Sequence, residues 1–174
     1  MNPVYTIGHS TRTIEEFIRI LQSYAIETIV DVRTIAASRH NPQYNEEDLC
    51  KSLSQKGIGY IHCKGLGGLR HTTKASINTA WENASFRGYA DYMQTTQFQE
   101  NLDRLIDMSK HKLTAIMCAE ALPWRCHRSL IGDALLVRNI AVIDIINEKS
   151  GKPHLLTSFA EVEGNKIVYP NAGK

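Results

Sequence analysis

The chain has 174 residues, 43% apolar and 22% charged, a composition that suits a folded soluble domain large enough to bury its own core. A formal charge of +2 is too small for a general polyanion binder, although it leaves room for a local basic pocket. No apolar run approaches the ~20 residues needed to span a bilayer, and the N-terminus lacks a basic segment before a signal-type apolar core, so a cytoplasmic location without membrane partners is expected.

In chain order, Val4 to Ile7 reads as a first strand ending at Gly8, His9 and Ser10. Thr13 and Glu16 have capping-box spacing, and Phe17, Ile18, Leu21 and Tyr24 form the apolar stripe of a first helix. Thr28 to Val32 is a second buried strand, with Arg33 just past its end. A loop follows from Ala36 to Asn45, broken by Asn41-Pro42, and then a helix from Glu46 to Gln55 closed by Gly57. Ile58 to His62 is a third strand, and Cys63 to Gly68 a flexible turn. Leu69 to Phe86 is polar and weakly patterned and reads as a long loop, of the kind that in compact domains is usually functional or disordered. Tyr89 to Ser109 carries Tyr92, Phe98, Leu102, Leu105 and Ile106, the pattern of one long helix or two in series.

Leu113 to Met117 is then a short apolar run suited to a strand buried on both faces. Cys118, Glu120, Arg125, Cys126, His127 and Arg128 follow at once, and an amphipathic helix runs from Ser129 to Asn139. A fifth strand spans Ala141 to Ile146. The pattern changes at Gly151 to Pro153, after which Leu155–Val162 and Lys166–Tyr169 read as a terminal β-hairpin split by Glu163 to Asn165. Strand–helix alternation without a repeat or a boundary predicts one α/β domain over the whole chain. Its mainly parallel sheet has about five strands, helices on both faces and a C-terminal hairpin.

A parallel sheet gathers its strand ends on one edge, where ligands of open α/β folds bind. That edge would present His9 and Ser10, Arg33, Cys63 and Lys64, and Cys118 with Glu120. A thiol at a strand end beside a helix N-terminus and arginines has its thiolate favoured, so Cys118 is a candidate nucleophile. A buried core cysteine is the competing reading. Glu120 is a candidate acid or base, or else an ion-pair partner of Arg125 or Arg128. Arg125, Cys126, His127 and Arg128 at the helix start, together with Arg33, predict an anion site, phosphate above all. The alternative is an internal network with Glu120, Asp31 and Asp133. Phe86, Arg87 and Tyr89 could stack on a base and hold a phosphate, or simply enter a packed helix.

The four cysteines, Cys50, Cys63, Cys118 and Cys126, are expected to be reduced. Cys118, Cys126 and His127 are conceivable zinc ligands, with a distant fourth such as His9, but their spacing matches no finger or ribbon, so no metal site is assigned. Six residues separate Cys118 from Arg125, where a phosphatase-like or rhodanese-like cradle has five, and no Gly-Lys-Ser/Thr follows the Gly65–Gly68 turn as a P-loop requires.

These residues carry a resemblance. His9-Ser10, Asp31-Val32-Arg33, Asn41-Pro42, Leu66 to Gly68, Phe86 to Tyr89, and above all Cys118-Ala119-Glu120 followed by Cys126-His127-Arg128 resemble the DUF488 family. Leu156 to Ala160 and Val168 to Pro170 are similar to its tail, apart from Ser158 where family tails often carry proline. The resemblance spans nearly the whole chain. It implies an α/β domain of bacterial or archaeal type and supplies no reaction or cofactor.

Three readings follow. The first is an enzyme, a candidate cysteine-dependent hydrolase or transferase that binds a phosphorylated or nucleotide-like substrate. Cys118 would be nucleophile or redox thiol, Glu120 the acid/base and His9 an aid to proton transfer. Ser10, Arg33, Arg87, Tyr89, Cys126, His127 and Arg128 would bind the substrate. The second is a nucleic-acid-binding or processing accessory domain without covalent chemistry, whose binding would weaken steeply with salt. The third is a structural or interaction domain built on an internal ion network.

Overall fold

The computed structural model describes residues 1–171. Strands β1 (Val4–Gly8), β2 (Thr28–Asp31), β3 (Gly59–His62), β4 (Thr114–Cys118) and β5 (Val142–Ile145) run parallel in one sheet, joined at its edge by the antiparallel β6 (Gly151–Pro153). The strand order is β3-β2-β4-β1-β5-β6, so β4 inserts between the first two strands of the chain. Helices α1 (Ile14–Ser23), α2 (Glu46–Ser54), α3 (Ala84–Tyr92), α4 (Thr96–His111) and α5 (Arg128–Val137) cover the sheet, and β7 (Glu161–Glu163) with β8 (Lys166–Val168) makes a separate hairpin.

The strand alternation sorts the core into two layers. Ile7, Ile29, Ala115, Met117 and Ile145 meet Phe17 and Leu21 of α1 and Leu49 and Leu53 of α2 on one face. Val4, Val30, Ile116, Cys118 and Val142 meet Tyr89, Phe98, Leu102, Leu130 and Ile131 on the other. Cys118 therefore faces the α3–α5 layer, on the same side as Ile116. The first helix starts as its capping signal predicts: Thr13 accepts the Glu16 backbone N–H at 3.1 Å.

The structure adds to the expected fold in three places. Gly151–Pro153 is a sixth strand, held by backbone pairing to Ile143–Ile145 with all three residues exposed. The Tyr89–Ser109 region is two helices, the first beginning at Ala84, with Thr95 capping the second through its hydroxyl. The terminal hairpin is shorter than its sequence pattern, with Gly164 at a φ of 62° in its turn.

Residues 69 to 83 hold no helix or strand, yet several of their polar side chains are paired. The Asp91 carboxylate accepts from Thr72 (2.9 Å), Ser76 (2.6 Å) and Asn78 (2.7 Å). Buried Asn78 in turn accepts the Tyr169 backbone N–H, which ties the loop to the chain end. Arg70 lies 3.6 Å over the Tyr92 ring.

Candidate functional site

A cleft of about 420 Å³ opens where the chain leaves the C-terminal ends of β2 and β4. Arg33, Thr34 and Ile35 follow β2; Cys118, Ala119 and Glu120 end β4; Arg125, Cys126 and His127 precede α5. Gly68, Leu69 and Phe86 complete its walls. Thus five of the ten residues given catalytic or substrate-binding roles from sequence meet there: Arg33, Cys118, Glu120, Cys126 and His127.

The centre of the cleft is a sulfur pair. Cys118 Sγ and Cys126 Sγ lie 2.8 Å apart, and the two residues are 2% and 7% exposed. Burial works against a thiolate at Cys118, but the Cys126 S–H donated to it and the nearby Arg128 charge outweigh burial and carry its pKa below the ordinary value. The same hydrogen bond, with burial, pushes the Cys126 thiol up. Of the two thiols, Cys118 is thus the one favoured to ionise and Cys126 the one favoured to keep its proton. The Arg128 backbone N–H, first in α5, points at Cys126 Sγ at 3.5 Å.

His127 stands behind this pair. Its Nε2 donates to the Val32 carbonyl at 2.8 Å, which leaves Nδ1 as an acceptor 3.4 Å from Cys126 Sγ. Burial lowers its pKa to about 4, so the ring is neutral near pH 7. The buried Tyr89 ring supports it at 4.9 Å, and Gly68 packs so closely against its other side that a Cβ there would fall 2.6 Å from Nδ1.

Arg33 is 7% exposed and forks onto Asp31, with contacts of 2.9 and 2.7 Å. Tyr60 donates to the same carboxylate at 2.6 Å, and Arg33 Nη2 also reaches the Tyr44 carbonyl at 2.7 Å. The remaining nitrogen, Nη1, is buried and has no partner among the described residues. Exposed Arg125 adds a second positive group to the cleft, opposed by the exposed Glu120 carboxylate. Glu120 lies beyond the last residue of β4, so its carboxylate reaches solvent while Cys118 stays buried.

The other residues expected at the site lie outside the cleft walls. Arg128 is 1% exposed, and its guanidinium holds the carbonyls of Glu120 (3.0 Å) and Ala121 (3.3 Å) and the Thr6 hydroxyl (3.4 Å). His9 stacks on Tyr44 at 4.1 Å, its Nδ1 bonded to the Ser10 carbonyl at 2.8 Å and its buried Nε2 without a partner among the described residues. Burial lowers its pKa to about 4. Ser10 takes a φ of 50° and bonds through its backbone N–H to Ala119. Arg87 Nε donates to the Trp81 carbonyl, and the Tyr89 hydroxyl to the Leu66 carbonyl. Of the stacking set read around Arg87, Phe86 alone lines the cleft.

The internal network weighed as the alternative is present in altered form. Asp31 pairs with Arg33, but Arg128 takes the Glu120 backbone rather than its side chain, and Asp133 pairs with His154. Sequence reasoning missed the apolar rim of Ile35 and Leu69, 68% and 69% exposed, whose only signal was an aliphatic residue in a polar loop. It also missed Val32 as the partner of His127, a backbone contact that no side chain announces. Among the described residues no group of three or more His, Cys, Asp or Glu is placed to hold a metal ion, and no helix is long and apolar enough to cross a membrane.

A family model described as "Domain of unknown function DUF488" matches residues 13–135, which include the cleft thiols. Comparison with curated proteins and with solved structures returned no match.

Proposed function

The chain belongs to the DUF488 family, which is defined without a reaction, and on the geometry of its cleft we propose a cysteine-dependent enzyme acting on a small anionic, phosphorylated or nucleotide-like substrate. The observation that carries this reading is a cleft lined by both Cys118 and Arg33, the latter with a buried Nη1 that has no partner among the described residues. A buried cationic nitrogen without a partner is costly, and an anionic oxygen entering the cleft would satisfy it. Arg125 at the mouth adds attraction and steering.

In this reading Cys118 attacks as the thiolate, stabilised by the Cys126 S–H and the charge of Arg128. Glu120 is the solvent-reaching acid or base for the leaving group. Ile35, Leu69 and Phe86 offer apolar surface to the rest of the substrate. Arg128, Tyr89 and His9 act as positioning residues for the cleft loops. Reduced thiols of this kind suit a cytoplasmic setting.

The test compares two alkylating agents of similar size, neutral iodoacetamide and anionic iodoacetate, with each cysteine mapped by mass spectrometry. An anion-selective cleft makes Cys118 favour iodoacetate by at least tenfold relative to the preference of a free small thiol, and Arg125→Ala or added phosphate reduces that preference. An iodoacetate-to-iodoacetamide ratio at Cys118 equal to the free thiol's overturns the anionic-substrate reading.

A further inference from the structure

Cys126 has no task in the chemistry proposed above beyond donating one hydrogen bond, yet everything around it positions a second reacting sulfur. It is nearly buried, faces Cys118 Sγ at 2.8 Å, and has the lone pair of His127 Nδ1 at 3.4 Å. We infer that Cys118 and Cys126 form a peroxide-reactive dithiol, in which a small hydroperoxide oxidises Cys118 and Cys126 resolves it as an intramolecular disulfide.

Access selects the oxidant class. With Cys118 2% and Cys126 7% exposed, a protein disulfide cannot bring its own sulfur into line, whereas a hydroperoxide is small enough to reach them through the cleft. The backbone between the thiols is fixed. Arg128 clamps the carbonyls of Glu120 and Ala121, Pro123–Arg125 makes one turn of 3-10 helix, and Val32 locks the His127 ring. The sulfurs are held facing each other by the same loop that would have to accommodate the bond.

In the first step the Cys118 thiolate attacks the hydroperoxide: an S–O bond forms, the O–O bond breaks, and the alkoxide (hydroxide, for hydrogen peroxide) leaves and takes a proton from solvent. Cys118 becomes a sulfenic acid, oxidised by two electrons, and the peroxide is reduced to an alcohol or water. In the second step Cys126 gives up its proton as it attacks Cys118 Sγ. The S–S bond forms, the S–O bond breaks, and the departing hydroxide recovers that proton as water. Two equivalents of a low-molecular-weight thiol return the site to the dithiol and leave as their own disulfide. Because the oxidised form has no free thiolate, it would also be the inactive form of the enzyme proposed above. The inference rests on that reading only in taking Cys118 as an activated thiolate.

The experiment treats the reduced full chain with one equivalent of hydrogen peroxide and maps the products by mass spectrometry. Expected is a monomer lighter by two hydrogens, its Cys118 and Cys126 peptides linked, and full reversal by dithiothreitol. In Cys126→Ser the reaction should stop at a Cys118 sulfenic acid that a 1,3-dione reagent traps. Wild-type protein that ends as a Cys118 sulfinic acid with Cys126 free, that links between chains, or that leaves both thiols intact overturns the inference. Iodoacetate selectivity is read separately on the same reduced wild-type protein. Selectivity without the disulfide removes the dithiol alone, and the disulfide without selectivity removes the anionic substrate alone.

Discussion

The guanidinium of Arg128 ends on the backbone carbonyl of Glu120, 3.0 Å away, and not on its carboxylate. A buried arginine is thereby used to fix the course of the chain just after Cys118, with Ala121 and Thr6 as its other partners. Arg128→Met keeps the aliphatic bulk but strands two inward-facing carbonyls. It should destabilise the protein by about 2–4 kcal/mol in urea unfolding. It also removes the positive charge beside Cys118, so in the folded fraction the alkylation midpoint of that thiol should move to higher pH. Arg128→Lys should restore the charge but not the fork, recovering the thiol midpoint better than the stability. Unchanged stability in the Met variant would mean that the loop holds without the clamp.

The pH dependence of Cys118 reactivity follows from which groups titrate around it. Its pKa lies below the ordinary thiol value, Cys126 keeps its proton, and His9 and His127 are both near 4. Alkylation of Cys118 against pH should therefore rise once, with a midpoint below about 8.5, and show no inflection at the ordinary histidine pKa of about 6.5. Cys126→Ala deletes the donor that favours the thiolate, so the midpoint should rise and the rate at pH 7 fall by threefold or more. A midpoint that falls on this substitution would show that Cys126 destabilises the thiolate.

Much of the frame is legible in the sequence because it rests on runs that have to be buried. Val4–Ile7, Thr28–Val32 and Leu113–Met117 are apolar enough to serve only as inner strands, and Thr13 with Glu16 marks a helix start without any tertiary information. The chemistry-bearing cluster after β4 is legible too, since few loops carry Cys118, Glu120, Cys126, His127 and Arg128 together. What the letters do not carry is direction. An arginine reads the same whether it faces a substrate or, as Arg128 does, two carbonyls in the interior. Gly151–Pro153 joins the sheet through backbone alone, so its exposed side chains give no alternation to detect. The order of residues 69 to 83 rests on distant partners such as the Asp91 carboxylate, which lies beyond the loop in helix α3, and the Tyr169 backbone.

Two glycines, Gly8 and Gly68, make close contacts with residues of the cleft and should differ in their tolerance of alanine. A Cβ on Gly8 would overlap the Glu120 carbonyl oxygen, backbone that Arg128 also holds, so neither side can move without parting β1 from the loop after β4. Gly8→Ala should cost upwards of about 3 kcal/mol or abolish folding. A Cβ on Gly68 meets a side chain, the His127 ring at 2.6 Å, which can tilt at the expense of its bond to Val32. Gly68→Ala should fold with a loss of about 1–2 kcal/mol, and thermal melts of the two variants side by side make the comparison. Equal losses would contradict the assignment of Gly8 to the rigid contact.

The last prediction concerns the far side of Thr6, whose hydroxyl touches Arg128 and also donates to Asp144 at 2.6 Å. His154 bridges two carboxylates there, with Nε2 2.9 Å from Asp133 and Nδ1 3.1 Å from Asp144. Asp133 accepts in addition from the Tyr169 hydroxyl at 2.8 Å, so this cluster fastens the C-terminal segment to α5 and β5. Burial opposes a charge on His154, but the two carboxylates prevail and raise its pKa to about 9 from an ordinary 6.5. A folded-state pKa above the unfolded one means that the folded protein binds the proton more tightly. The stabilisation is complete below about pH 6.5 and is lost as pH climbs through 9. It should amount to about 2–3 kcal/mol, the side chain being only 8% exposed. Unfolding free energy measured from pH 6 to pH 8, below the range in which the thiols and tyrosines of the unfolded chain titrate, should fall in the wild type. His154→Gln, which does not titrate, should begin lower and lose much less over the same range. A slope that survives the substitution would place the titrating group elsewhere.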